Sequence, residues 1–132
     1  MKEYITHITN QLRDIYSEDE AHALAWWIVE ECTGMSRNEI LLGCKDTKNI
    51  PNLQAIIERL RHFEPIQYIF GHTLWNGLDL LVTPDTLIPR PETAELVEQI
   101  VHSFQAVKDA KEPLKLLDIG TGTGCIAITL KH

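Results

Sequence analysis

Apolar residues in the first half of the chain recur every three or four positions, the period of an α-helix packed along one side. Ile5, Ile8, Leu12 and Ile15 form the first such stripe. Ala21, Leu24, Ala25, Ile28 and Cys32 form the second, with Trp26 and Trp27 widening its face. It follows Ser17-Glu-Asp-Glu20, which has the capping-box form, and Gly34 is placed to end it. Ser36-Arg-Asn-Glu39 is another capping box, ahead of a short helix through Ile40, Leu41 and Leu42. Pro51 suits the first turn of a fourth helix, with Leu53, Ile56, Ile57, Leu60 and Phe63 along one side. Four helices with short connections predict a compact bundle over residues 1–64.

The period changes near Pro65. Gln67 to Phe70 is rich in aromatic and β-branched residues, and Gly71 interrupts it. Asn76-Gly77 is a hairpin turn signal, because both residues tolerate positive φ. Leu78, Leu80 and Val82 alternate beyond it as a half-buried strand does. Residues 66–83 therefore read as a β-hairpin, within a linker spanning 65–86, and Trp75 beside the turn reads as hairpin packing, with a substrate-facing role as the lesser alternative.

Leu87-Ile-Pro-Arg-Pro-Glu-Thr93 follows. Pro91 can open a helix whose Leu96, Val97, Ile100, Val101 and Phe104 share one face, and the polar stretch from Lys108 to Pro113 ends it. Starting a helix accounts for Pro91 and Glu92, but not for two prolines bracketing Arg90, which fix the backbone of an otherwise mobile cation. The apolar run Leu114 to Leu117 then reads as a strand, Asp118-Ile-Gly-Thr-Gly-Thr-Gly124 as a turn, and Cys125 to Leu130 as a helix. Alternate glycines let the backbone turn tightly and approach a ligand, and the following helix presents unpaired N–H groups to an anion. This is the opening of an α/β domain, assigned to residues 87–132. A single parallel strand makes no sheet, so this half is expected to be poorly ordered alone or to self-associate.

Two nucleotide motifs compete for the glycine turn. A dinucleotide fingerprint needs glycines at its first, third and sixth positions, and the sixth here is Cys125, which disfavours an NAD(P) enzyme. A P-loop lacks its Gly-Lys-Ser/Thr. The Asp-x-Gly-x-Gly-x-Gly pattern fits S-adenosylmethionine-dependent methyltransferases better.

Bulk properties exclude more than they assign. The chain has 132 residues and is 44% apolar, enough for a core. No apolar run approaches the roughly 20 residues of a membrane span. A net charge of −7 argues against direct nucleic-acid binding, which needs basic patches. Cys32, Cys44 and Cys125 are widely spaced, suggesting reduced thiols in a cytoplasmic protein, and no His or Cys spacing suggests a metal site.

Pro65-Ile-Gln-Tyr-Ile-Phe-Gly71, Leu87-Ile-Pro-Arg-Pro-Glu-Thr93 and Leu117-Asp-Ile-Gly-Thr-Gly-Thr-Gly124 occur in that order. Together they resemble the HemK/PrmC family, the N5-glutamine methyltransferases of peptide chain release factors, and the resemblance runs over essentially the whole chain. It implies an α+β protein: an N-terminal helical domain that helps engage the release factor, a hairpin, and the first βα unit of a Rossmann-like methyltransferase domain. The reaction implied is transfer of the methyl of S-adenosylmethionine to the Gly-Gly-Gln glutamine amide of class I release factors. On the matching positions, Gly120, Thr121, Gly122, Thr123 and Gly124 would line the cofactor's methionine and ribose, with Asp118 beside them. Glu92 and Thr93 would lie against the same pocket.

The sequence departs from that family in what it lacks. The family's Asn-Pro-Pro-Tyr, which binds the glutamine amide, does not occur, nor does the acidic residue that grips the ribose hydroxyls at the end of a second strand. Positioning an amide against a methyl donor is most of what the protein contributes to such a transfer. The chain is therefore expected to be the inactive N-terminal portion of an enzyme, carrying no catalytic residue, with retention of S-adenosylmethionine by the half-domain left open. The rival reading is a stand-alone protein-binding helical module without catalysis.

Overall fold

The computed structural model describes residues 1–43, 49–105 and 115–131. Cys44 and the polar stretch from Lys108 to Pro113 lie outside them, as does Leu114. The chain divides into two compact units, Met1–Ile69 and Phe70–His132.

The first unit contains α1 (Lys2–Leu12), α2 (Glu18–Thr33), α3 (Arg37–Leu42), α4 (Leu53–Arg61) and nearly all of α5 (Ile66–Phe70). The three-and-four periodicity becomes burial: Ile5, Ile8 and Leu12 of α1, Ala21, Ala25, Ile28 and Val29 of α2, and Ile57 and Leu60 of α4 are all buried. α1 packs against both α2 and α4. The caps form as their residue types dictate. Ser17 Oγ accepts from the Glu20 N–H at 3.2 Å, and Gly34 closes α2 in the left-handed region. Ser36 and Glu39 make the complete reciprocal box, with the Ser36 N–H donating to Glu39 Oε2 at 2.9 Å.

Two details of this unit differ from the sequence reading. α4 begins after Asn52, which takes φ 57°, so Pro51 stands in the turn ahead of the helix rather than in its first turn. Phe63 does not join the α4 face. It lies beyond the helix end at φ 59°, 67% exposed, with its ring 5.9 Å from that of Tyr16. The Tyr16 hydroxyl donates to the Leu60 carbonyl at 2.8 Å.

Arg61 links α4 back to α1 through a fork. Its two terminal nitrogens donate to Asp14 Oδ1 and Oδ2, each at 2.8 Å, and one also donates to the Gln11 carbonyl at 2.6 Å. The hydrogen bond from Arg61 holds the Asp14 carboxyl below the ordinary aspartate value. A carboxylate with a depressed folded pKa stabilises the fold above its unfolded pKa, and that stabilisation is lost as the pH falls through the folded value. Asp14→Asn is therefore expected to destabilise the protein at neutral pH. The gap from wild type should close once the pH drops below the usual aspartate range. Thermal denaturation at pH 7 and at successively lower pH checks this; a gap independent of pH would refute the ion-pair account.

The second unit contains a two-stranded antiparallel sheet, β1 (His72–Trp75) and β2 (Leu78–Leu81), then α6 (Glu92–Gln105) and α7 (Cys125–Lys131). Asn76 and Gly77, at φ 47° and 78°, make the tight turn with the handedness that suits twisted strands. The register pairs Thr73 with Leu80 and Trp75 with Leu78. Trp75 and Leu80 face inward, and together with Val97 of α6 and Cys125 of α7 they form the core of this unit.

Two strand expectations fail here. Gln67 to Phe70 is helical, so the hairpin occupies 72–81 rather than 66–83. Pro65 presets the first turn, its carbonyl accepting from the Tyr68 and Ile69 N–H groups, and Gly71 at φ 80° turns the chain out of it. Residues 115–117 form no strand either, and Leu116 and Leu117 are exposed at 52% and 83%. A strand exists only by pairing, and among the described residues no neighbour is available to Lys115, Leu116 and Leu117. The observed class is thus helices with a small antiparallel sheet; the expected βα unit supplies its turn and helix without its strand.

Candidate functional site

The glycine turn is built by backbone conformation. Gly120, Gly122 and Gly124 take φ 76°, 55° and 78°, in the region that side-chain-bearing residues avoid. Among the described residues a Cβ placed on Gly120 or Gly122 would meet nothing within 4 Å, so both backbones border open space there. Gly124 differs: a Cβ there would come within 3.1 Å of Ile128 Cδ1. Its absence lets α7 start close against the turn. The Gly124 N–H donates to the Thr121 carbonyl at 2.8 Å, and the Gly124 carbonyl accepts from the Ile128 N–H at 2.8 Å, so the turn runs directly into the helix.

The side chains of the turn fall into two states. Asp118 is half-buried, and its Oδ2 accepts from Thr121 Oγ1 at 2.9 Å, which closes the turn across three residues. Thr123 Oγ1 is buried and has no hydrogen-bond partner among the described residues. A buried hydroxyl left unpaired costs free energy, so it marks a position where an added polar group would be favourable.

This arrangement fits the cofactor that the sequence pattern implies. S-adenosylmethionine carries an amino-acid end and ribose hydroxyls, all of which need close backbone approach and polar partners. Two glycines facing open space would allow the first, and the unpaired Thr123 hydroxyl and the Asp118 carboxylate of the same turn could supply the second. The exposed Thr121 already spends its hydroxyl on Asp118.

Glu92 and Thr93 open α6. The Arg90 carbonyl accepts from the Thr93 N–H at 3.1 Å and the Pro91 carbonyl from the Ala94 N–H at 3.0 Å, forming the first helical turn. Glu92 is exposed and Thr93 half-buried. α6 packs on α7 and shares with it the cluster of Val97 and Cys125, so the helix that Glu92 and Thr93 open and the helix that follows the glycine turn share one core. Arg90 itself is exposed.

One residue that the sequence reading assigned chiefly to hairpin packing has a second contact. Trp75 is 5% exposed, and its indole N–H donates to the Arg90 carbonyl at 2.9 Å. The position of a tryptophan beside a hairpin turn signals packing; nothing in the linear sequence couples it to a residue fifteen positions later. Among the described residues no group of three His, Cys, Asp or Glu side chains is arranged to hold a metal ion, and no helix is long and apolar enough to cross a membrane.

Comparison with known proteins places these features in context. The family model described as the PrmC N-terminal domain matches residues 3–71. A release factor glutamine methyltransferase of Bacteroides thetaiotaomicron is 42% identical over 98% of this chain and 46% of its own length. The protein of the same name from Flavobacterium psychrophilum gives the same identity and coverage, and that of Bacillus subtilis is 35% identical over 74% of this chain. The chain thus spans just under half the length of the first two relatives.

Proposed function

The chain belongs to the PrmC family of release factor glutamine methyltransferases, and from that premise we propose that it is the N-terminal part of an enzyme that methylates the Gly-Gly-Gln glutamine of class I release factors. The helical unit serves to engage the release factor. The Asp118–Gly124 turn, together with Glu92 and Thr93 of α6, holds part of S-adenosylmethionine. When bound, that cofactor supplies an electrophilic methyl group on its sulfonium. The residues of this chain position it: Gly120 and Gly122 admit it to the backbone, and Thr123 and Asp118 offer it polar contacts. The unpaired Thr123 hydroxyl beside two open glycines is the observation that carries this reading.

The division of labour follows from what the residues can do. The amide-binding Asn-Pro-Pro-Tyr of the family has no counterpart in these 132 residues. They accordingly bind and orient, while the group that exposes the amide lone pair belongs to a further segment. The piece by itself is inactive in transfer, acts in the cytoplasm with its parent, and contacts protein rather than nucleic acid. Its exposed Leu116, Leu117 and Ile119 favour self-association when it is alone.

The test uses the protein expressed from its complete reading frame, isotope-labelled S-adenosylmethionine and a class I release factor. Label should enter the wild-type factor and not one whose Gly-Gly-Gln glutamine is replaced by alanine. Equal labelling of both factors, or labelling of neither, would sink the proposal. The second reading, a helical module that binds without catalysis, draws on the self-contained core of Met1–Ile69. It requires release-factor binding by a protein that transfers no methyl.

A further inference from the structure

Between the hairpin and α6 the chain runs from Val82 to Pro91 with no helix or strand. Such a segment needs outside anchors to hold a fixed conformation, because its backbone lacks the repeating hydrogen bonds of regular structure. Thr83 and Thr86 close one local turn, the Thr83 N–H donating to Thr86 Oγ1 at 2.9 Å. Pro89 and Pro91 restrict φ on either side of Arg90 but contribute no donor.

Val82 anchors the start of this segment, its N–H donating to the Gly71 carbonyl at 3.0 Å, and the Arg90 carbonyl ties down its far end. That carbonyl accepts two hydrogen bonds: one from the Thr93 N–H, which starts α6, and one from the indole N–H of Trp75, which reaches it from β1. The rest of the Trp75 side chain is buried in the cluster with Leu80, Val97 and Cys125. Cys125 is the residue directly after Gly124. One side chain therefore serves both halves of the cofactor site proposed above: its N–H bonds the turn that presents Glu92 and Thr93, and its ring shares a core with the helix that begins at the glycine turn.

We propose that Trp75 is a positioning residue for cofactor binding, its indole N–H fixing the Arg90 carbonyl so that the first turn of α6 is held in register with the Asp118–Gly124 turn. The inference rests on the reading of that turn as part of an S-adenosylmethionine site. The ring and the N–H have separable duties. Hydrophobic contact with Leu80, Val97 and Cys125 needs only an indole-shaped apolar body; registration of Arg90 needs the donor. A role in packing alone would be served equally well by a ring without the N–H.

That separation defines the experiment. In the protein expressed from its complete reading frame, Trp75 is replaced by benzothienylalanine, which keeps the bicyclic shape and puts sulfur in place of the N–H. Trp75→Phe is made alongside. Melting temperature, the dissociation constant for S-adenosylmethionine by calorimetry, and kcat and KM for methyl transfer are measured. Net loss of one neutral hydrogen bond corresponds to roughly two- to tenfold. The expected result is a melting temperature close to wild type for the sulfur analogue with cofactor dissociation constant and KM raised by about that factor and kcat little changed. Trp75→Phe should show the same cofactor defect together with a lower melting temperature. An analogue whose cofactor affinity equals that of wild type would overturn the positioning role while leaving the cofactor site intact. A wild-type protein that fails to bind S-adenosylmethionine would overturn the site itself, and this inference with it.

Discussion

Replacing Ile8 with alanine is expected to destabilise the helical unit by about 2–5 kcal/mol, the usual cost of emptying a fully buried aliphatic position. Ile8 sits midway along α1, is 0% exposed, and belongs to the element that packs against both α2 and α4. Removing three carbons there forfeits their transfer free energy and leaves a cavity at a junction of three helices. Small domains hold only about 5–15 kcal/mol in all, so the loss is a large share of the total. Leu42→Ala is the matched control. Leu42 is chemically similar but 83% exposed, so its loss should move stability by less than about 0.5 kcal/mol. Urea denaturation followed by circular dichroism reads both. Equal midpoints for Ile8→Ala and wild type would mean that the α1 stripe is not what holds this unit together.

The same contrast shows how far the linear pattern reaches. The stripe at Ile5, Ile8 and Leu12 and the caps at Ser17 and Ser36 were legible because each depends only on residues within a turn or two. Phe63 was misplaced because periodicity cannot tell that a helix has already ended; its left-handed backbone is a local event that apolar spacing does not record. Gln67 to Phe70 illustrates the reverse. Aromatic and β-branched residues suit a strand only if a partner strand faces them, and Pro65, directly ahead of α5, favours a helical turn instead. Leu116 and Leu117 have the composition of a buried parallel strand, yet strand formation depends on neighbours that none of the other described residues supplies.

Within the site, the glycine spacing was legible because positive φ restricts residue choice so strongly that glycine itself is the signal. The differing roles of the three glycines were not. Only coordinates separate Gly124, which faces Ile128 of its own helix, from Gly120 and Gly122, which face open space. The unpaired Thr123 hydroxyl and the reach of Trp75 to Arg90 are likewise products of tertiary placement.

Gly122 supplies the largest expected effect on the proposed activity. Two costs act on any side chain at this position. The backbone at φ 55° disfavours an L-residue by about 1–2 kcal/mol. The side chain would also project into space that the protein leaves open and the cofactor is proposed to enter. Alanine meets the first cost with a small version of the second, and cofactor affinity should fall about tenfold, the equivalent of roughly 1.4 kcal/mol. Valine branches at Cβ, for which positive φ is a genuine outlier, and it fills more of the approach. Gly122→Val should therefore lower affinity by about a hundredfold or more and methyl transfer with it. Gly34→Ala separates strain from occlusion. Gly34 takes φ 67° at the end of α2, and a Cβ there also meets nothing within 4 Å. It should show a loss of stability comparable to that of Gly122→Ala, and unaltered cofactor binding. Calorimetric titration of S-adenosylmethionine into the protein expressed from its complete reading frame gives the ranking directly. Wild-type affinity in Gly122→Val would exclude the turn from the cofactor site, whatever that variant does to the melting temperature.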